Sequence, residues 1–205
     1  MRRSYFFLRH GRAVYQENGF DRSAYPKGTD WPLAPVGHRE AAAVAPFLLA
    51  SGVETLFSSS LRRAIQTAEC IVAETALPYV SRWSELNELE PSEMRRLGGK
   101  RPEWWDGWAM SRALRRHRDG RRVSGWEIEG VAARIEGVLQ RLDEREETRL
   151  AIVGHGFWIL LLTVWLGGPS RPRWIHNCSV TRVDADGAGR YRLAGFAQRP
   201  FEVPR

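Results

Sequence analysis

Five residues scattered along this chain are of the types that move a phosphoryl group. Arg9 and His10 close an apolar aromatic run, Ser4-Tyr5-Phe6-Phe7-Leu8, and precede Gly11. The run has the bulk of a buried strand, and Gly11 is expected to allow a sharp turn as it ends. A cation and an imidazole then stand together at a strand's C-terminal edge, where open α/β sheets bind ligands. Arg63 falls on the first turn of an expected helix, whose free backbone N–H groups already favour an anion. Glu88 lies in Leu86-Asn87-Glu88, and His155 lies between Gly154 and Gly156 just past Ala151-Ile152-Val153. Converging on one edge, they would make a dry, cationic phosphate pocket. The expected scheme there has neutral His10 attack phosphorus. Arg9, Arg63 and His155 hold the equatorial oxygens. Glu88 gives a proton to the leaving oxygen and then takes one from the water that splits the phosphohistidine. Glu85 and Glu90 are its nearest competitors. Each signal is weak alone; the set is specific.

The elements that must position these residues alternate. Strands are expected at 4–9, 54–58, 78–81, 149–154, 178–184 and 190–197. An Ala-rich helix over 38–50 ends at Gly52, and Pro46 inside it predicts a kink or a split. Ser58-Ser59-Ser60 is expected to cap a helix over 61–75 whose apolar stripe is Leu61, Ala64, Ile65, Ala68, Ile71 and Val72. Ser124-Gly125-Trp126-Glu127 has the pattern of a capping box before a helix carrying Ile128, Val131, Ile135, Val138, Leu139 and Leu142. Residues 157–166 read as a buried helix, and Asp184 to Gly189 as the turn of a C-terminal hairpin. This is the pattern of an α/β fold: a three-layer α/β/α sandwich on a mostly parallel sheet. Segment 89–123, with Trp104, Trp105 and Trp108 among charges, breaks the alternation and reads as an insertion over the active-site edge.

With 205 residues the chain is expected to form one domain, 1–205. Cys70 and Cys178 have neither metal nor redox spacing; Cys70 reads as a small buried residue. The apolar N-terminal stretch is too short for a signal peptide and the longest apolar run too short for a membrane span, so a cytoplasmic, reducing location is expected. The net charge of +7 lies in one stretch: Arg95 to Arg122 holds ten basic and three acidic residues, and the remainder balances. A solvated surface is preferred there over a nucleic-acid patch. His38 and His117 read as surface groups; His176 is a candidate for the pocket rim.

Taken together the motifs resemble the histidine phosphatase superfamily, in its phosphoglycerate-mutase-like branch. The resemblance rests on Leu8-Arg9-His10-Gly11, on Asp30 to Gly37, on Ser59 to Ala68, on Leu86-Asn87-Glu88 and on Val153-Gly154-His155-Gly156, in family order; Asn177 to Thr181 adds to it. It implies a phosphohistidine on His10, phosphate held by Arg9, Arg63 and His155, and Glu88 as proton donor. It also implies no metal and no cofactor. Three departures stand out. Arg12 and Ala13 replace residues that often include a phosphate-binding hydroxyl, and Gln16 replaces a frequent Asn while keeping an amide donor for phosphate. Glu90-Pro91-Ser92-Glu93 replaces the usual Gly-x-x-Glu-Gly. The expected partner is a small phosphorylated metabolite, with a phosphoprotein as a further option and no membrane; the oligomeric state is left open. The alternatives are a phosphoglycerate-type mutase and a non-catalytic protein that binds phosphate ligands.

Overall fold

The computed structural model describes residues 2–17, 30–89, 103–123, 128–168 and 174–202, with backbone alone for 103–108. The strands are β1 (Arg3–Arg9), β2 (Thr55–Ser59), β3 (Tyr79–Trp83), β4 (Arg149–Gly154), β5 (Val180–Ala185) and β6 (Tyr191–Gln198). The helices are α1 (Val14–Glu17), α2 (Pro35–Ala50), α3 (Arg62–Thr75), α4 (Glu103–Arg118), α5 (Ile128–Asp143) and α6 (Gly156–Trp165), with a 3-10 turn at Ser84–Leu86.

The six strands form one sheet in the order β3-β2-β4-β1-β5-β6. Neighbours among the first four run parallel, and β5 and β6 return antiparallel as a hairpin. Alternation along each strand splits the interior in two. Phe6, Leu8, Leu56, Ala151 and Val153 meet Ala41, Val44, Leu48, Ala64, Ala68 and Ile71 of α2 and α3. Tyr5, Phe7, Phe57, Leu150 and Ile152 meet the other layer, where α4, α5 and α6 contribute Leu114, Ile135 and Trp158. The result is an α/β/α sandwich whose four parallel strands end at one edge. There β1 and β4 are in register, Arg9 beside Gly154, and the His10 N–H donates to the Gly154 carbonyl at 2.9 Å.

Several local expectations need correction. α2 runs through Pro46 without a split, and Pro46 stands on its exposed side. The serines do not cap α3. Its first amide, on Arg62, donates to both carboxylate oxygens of Asp30, at 3.0 and 2.9 Å. The buried side of α3 is Arg63, Ala64, Thr67, Ala68 and Ile71, so two polar residues displace Leu61, Ile65 and Val72 from the stripe. Cys70 is half-buried, its sulfur 3.2 Å from Nδ1 of exposed His38. Gly11 has no positive φ. A Cβ there would lie 2.4 Å from the Gly37 carbonyl oxygen, so close backbone approach is what excludes a side chain. The expected capping box at 124–127 lies outside the described residues, as do Glu90, residues 90–102 of the insertion and the side chains of Trp104, Trp105 and Trp108.

Candidate active site

The parallel strands deliver the sequence candidates to one edge. His10 and His155 each stand one residue beyond paired strand ends, their rings 5.2 Å apart, and both are buried. Arg63 reaches them from the first turn of α3, its Nε donating to His10 Nε2 at 3.1 Å. Thr67, one turn on, joins this helix to the histidine loop. Its hydroxyl donates to the Arg63 carbonyl at 2.7 Å and accepts the Gly11 N–H at 3.0 Å.

The other nitrogen of His10, Nδ1, lies 2.7 Å from the Gly11 carbonyl oxygen. A carbonyl only accepts, so Nδ1 carries the proton and Nε2 keeps its lone pair. Burial and the charges of Arg63 and Arg9 push the His10 pKa well below the ordinary histidine value. The imidazole is therefore neutral and its nucleophilic nitrogen faces a guanidinium.

His155 is set by Ser59, at the end of β2. The Ser59 hydroxyl lies 2.7 Å from His155 Nε2 and accepts the Leu61 N–H at 3.3 Å. With the Ser59 hydroxyl as donor to Nε2, the ring proton sits on Nδ1. That Nδ1 has no partner among the described residues, and neither has Nε of Arg9. Burial pushes the His155 pKa well below the usual value as well, helped by Arg63, His10 and Arg9. Arg9 is anchored by an Nη1 bond to the Ile175 carbonyl at 2.5 Å, and its side chain passes 3.3 Å from where a Cβ on Gly156 would stand. The second glycine flanking His155 makes room for the first arginine.

Glu88 follows the 3-10 turn after β3. Its residue surface is half-buried while its carboxyl is deep. The carboxyl accepts the Phe157 N–H at 3.3 Å and the Trp158 N–H at 3.1 Å, at the open N-terminus of α6. Desolvation raises its pKa, outweighing Arg63, Arg9 and the two amides, which lower it. Glu85 instead faces solvent in a 3.4 Å ion pair with Arg141.

Gln16 lies at the margin, its Oε1 accepting the Ala13 N–H at 2.8 Å and the Asn177 amide at 3.2 Å. Asn177 also donates to the His10 carbonyl at 2.8 Å. Arg12 and His176 are exposed, and His117 stacks on Trp165 at 6.3 Å. Sequence reasoning named Ser59 only as a helix cap and within a motif, and Asn177 only within a motif, and gave neither a part in the site. The available signal was a buried polar group beside each histidine loop, visible only once the loops are adjacent.

Across residues 5–196 the chain matches the histidine phosphatase superfamily (branch 1). The chain belongs to this superfamily. "Probable phosphoglycerate mutase GpmB" of Proteus mirabilis is 30% identical over 165 residues, covering 76% of this chain and 74% of that protein. Among solved structures, the native mycobacterial glucosyl-3-phosphoglycerate phosphatase superposes with a TM-score of 0.66 at 21% identity, covering 96% of this chain and 99% of that one. A phosphoserine phosphatase mutant from Entamoeba histolytica, in complex with phosphoserine, gives 0.65 at 20% identity, with 96% and 98% covered. These likenesses establish the fold, and superfamily membership makes the chain an enzyme of the phosphoryl-transfer kind.

Proposed function

We propose that this protein hydrolyses a small phosphomonoester through a phosphohistidine on His10. The observation that carries the reading is the His10 tautomer: Nδ1–H tied to the Gly11 carbonyl, and Nε2 facing Arg63 beside a second buried imidazole. A phosphate dianion is a stronger acceptor than neutral imidazole, so it draws the Arg63 N–H away and frees the lone pair. Nε2 then attacks phosphorus as the ester P–O bond breaks. Arg9, Arg63 and the His155 Nδ1–H hold the non-bridging oxygens. The leaving oxygen takes the Glu88 proton. Water next attacks phosphorus, giving its proton to the Glu88 carboxylate as the N–P bond breaks, which returns His10 neutral. The positive charge comes from two guanidiniums, so the scheme needs no metal. Gln16, held by Asn177, lines the margin where a phosphate oxygen or the substrate's polar body would lie.

The substrate class is a phosphorylated small metabolite, in keeping with relatives named for phosphoglycerate, glucosyl-3-phosphoglycerate and phosphoserine. The test is an acid-quench experiment on a panel of phosphomonoesters. A burst of released alcohol and an acid-labile phosphoprotein are expected, both lost in His10→Ala. Full activity in that variant would refute the reading. The likeness to a protein named as a mutase favours a second reading, transfer between hydroxyls. Isomerisation of 3-phosphoglycerate with trace 2,3-bisphosphoglycerate, outpacing phosphate release, would establish it.

A further inference from the structure

Glu88 is held from two sides. One is the α6 N-terminus already described. The other is α5, a helix that carries none of the motifs. Arg134, half-buried on α5, aims its guanidinium at the backbone that leads into Glu88. Its Nε donates to the Glu85 carbonyl at 2.6 Å. Its Nη2 donates to the Asn87 carbonyl and makes a long contact, 3.5 Å, with that of Ser84. A planar fork of donors suits this task, because several carbonyls are bridged by one rigid group. Two turns on, Arg141 lies 4.1 Å over the Trp83 ring and pairs with the Glu85 side chain. On the opposite flank, Asn87 Oδ1 accepts both the N–H and the hydroxyl of Ser60, each at 2.9 Å.

We propose that Arg134 is a positioning residue for the general acid: by clamping the carbonyls of Glu85 and Asn87 it fixes the backbone from which Glu88 presents its proton. The inference rests on the phosphatase reading and adds to it a residue outside every motif. A general acid acts only within hydrogen-bond reach of the leaving oxygen. An error of about 1 Å in such a group costs on the order of a hundredfold. Residues 87 and 88 follow the 3-10 turn without regular structure of their own, so the clamp replaces the ladder that a strand would supply.

The consequence depends on the leaving group. p-Nitrophenolate departs without help, whereas phenolate needs a proton. The experiment measures kcat/KM, which reports the step that phosphorylates His10, on p-nitrophenyl phosphate and phenyl phosphate. In Arg134→Met the ratio between the two substrates should widen by about tenfold, part of the span available to acid catalysis. Arg134→Lys, which keeps the charge and one reaching donor, should widen it less. Arg141→Met serves as the structural comparison, since it removes the grip on the Glu85 side chain and the Trp83 ring and leaves the carbonyl clamp in place. It should lower Tm without widening the ratio. If Arg134→Met fails to fold, the lysine variant is read against Arg141→Met in the same way. Glu88→Gln separates the two levels of the argument. A widened ratio in Glu88→Gln together with an unchanged one in the Arg134 variants overturns the clamp alone. An unchanged ratio in Glu88→Gln overturns the acid role, and the clamp with it. Equal widening in the Arg141 and Arg134 variants reduces Arg134 to a structural bond and overturns the proposal.

Discussion

His10 and Glu88 are shifted in opposite directions, and the proposed mechanism depends on it. That mechanism needs neutral imidazole and protonated carboxyl at once. With their ordinary values of 6.5 and 4.5 that state would be a minority at every pH. Burial moves the histidine down and the carboxyl up, so their titrations approach each other and the productive state gains population. A bound phosphate dianion pushes Glu88 further up. We therefore expect kcat/KM for phenyl phosphate to fall on the alkaline side as Glu88 loses its proton, and Glu88→Gln to lower the maximum by about a hundredfold while removing that limb. Comparing the two proteins across pH separates the limb from the substrate's own ionisation near pH ~6. An unchanged limb in the variant would assign it elsewhere. Gly11 carries a second residue-scale expectation. Its missing Cβ accommodates the Gly37 carbonyl, which is backbone and cannot rotate away. Gly11→Ala should cost about 1–3 kcal/mol in chemical denaturation, the range of an overpacked core, and should displace the His10 loop enough to lower kcat. The motif text made both residues visible, but the reason for Gly11 was not legible, because its partner lies in another segment.

The elements were legible where their own residues decide them. β1 and β4 are largely apolar runs, β3, β5 and β6 mix polar with apolar residues, and each strand lies within a few residues of expectation. What failed were the ends and faces decided by distant groups. The α3 N-terminus is closed by Asp30, far away in sequence, so a local reading settled on the nearer serines. The α3 stripe was misjudged because Arg63 and Thr67 are buried against the site rather than in an apolar core. Hydropathy cannot register a face that is buried for its charge. Asp30 thereby gains a testable role. Its carboxylate fixes the turn that carries Arg63, so Asp30→Ala should destabilise by about 1 kcal/mol, as loss of a helix cap does. It should also raise KM for phosphate esters several-fold with a smaller change in kcat. Urea unfolding and steady-state kinetics on the same preparation check both. Loss of stability with KM untouched would leave Asp30 a cap and nothing more.

At the scale of the whole molecule, the sheet order explains why the site is buried and cationic. β4 lies between β2 and β1, so the chain reaches the edge four times before the hairpin closes it. Helices α2 and α3 cover one face and α4 to α6 the other, which leaves the carboxyl edge as the place where both layers end. The same enclosure links function to stability. His10 and His155 are neutral in the folded protein, with pKa values well below those they have when unfolded. Below about pH 6.5 the unfolded chain takes up protons at both positions and the folded chain does not. Stability from these groups is thus fully present above that pH and declines as the pH falls toward the folded values. Glu88 acts the other way, since its raised pKa lets the folded state bind a proton before the unfolded state does, at pH values above 4.5. Histidine therefore dominates the first loss on acidification. Between pH 7 and pH 5 the wild-type Tm should drop more steeply than that of a His10→Gln, His155→Gln double variant, which has no proton to take up at either position. Added inorganic phosphate should raise the wild-type Tm, because it binds only the folded site, and should do so less in the variant. Parallel Tm profiles with and without the two imidazoles would show that the acid sensitivity arises outside this pocket.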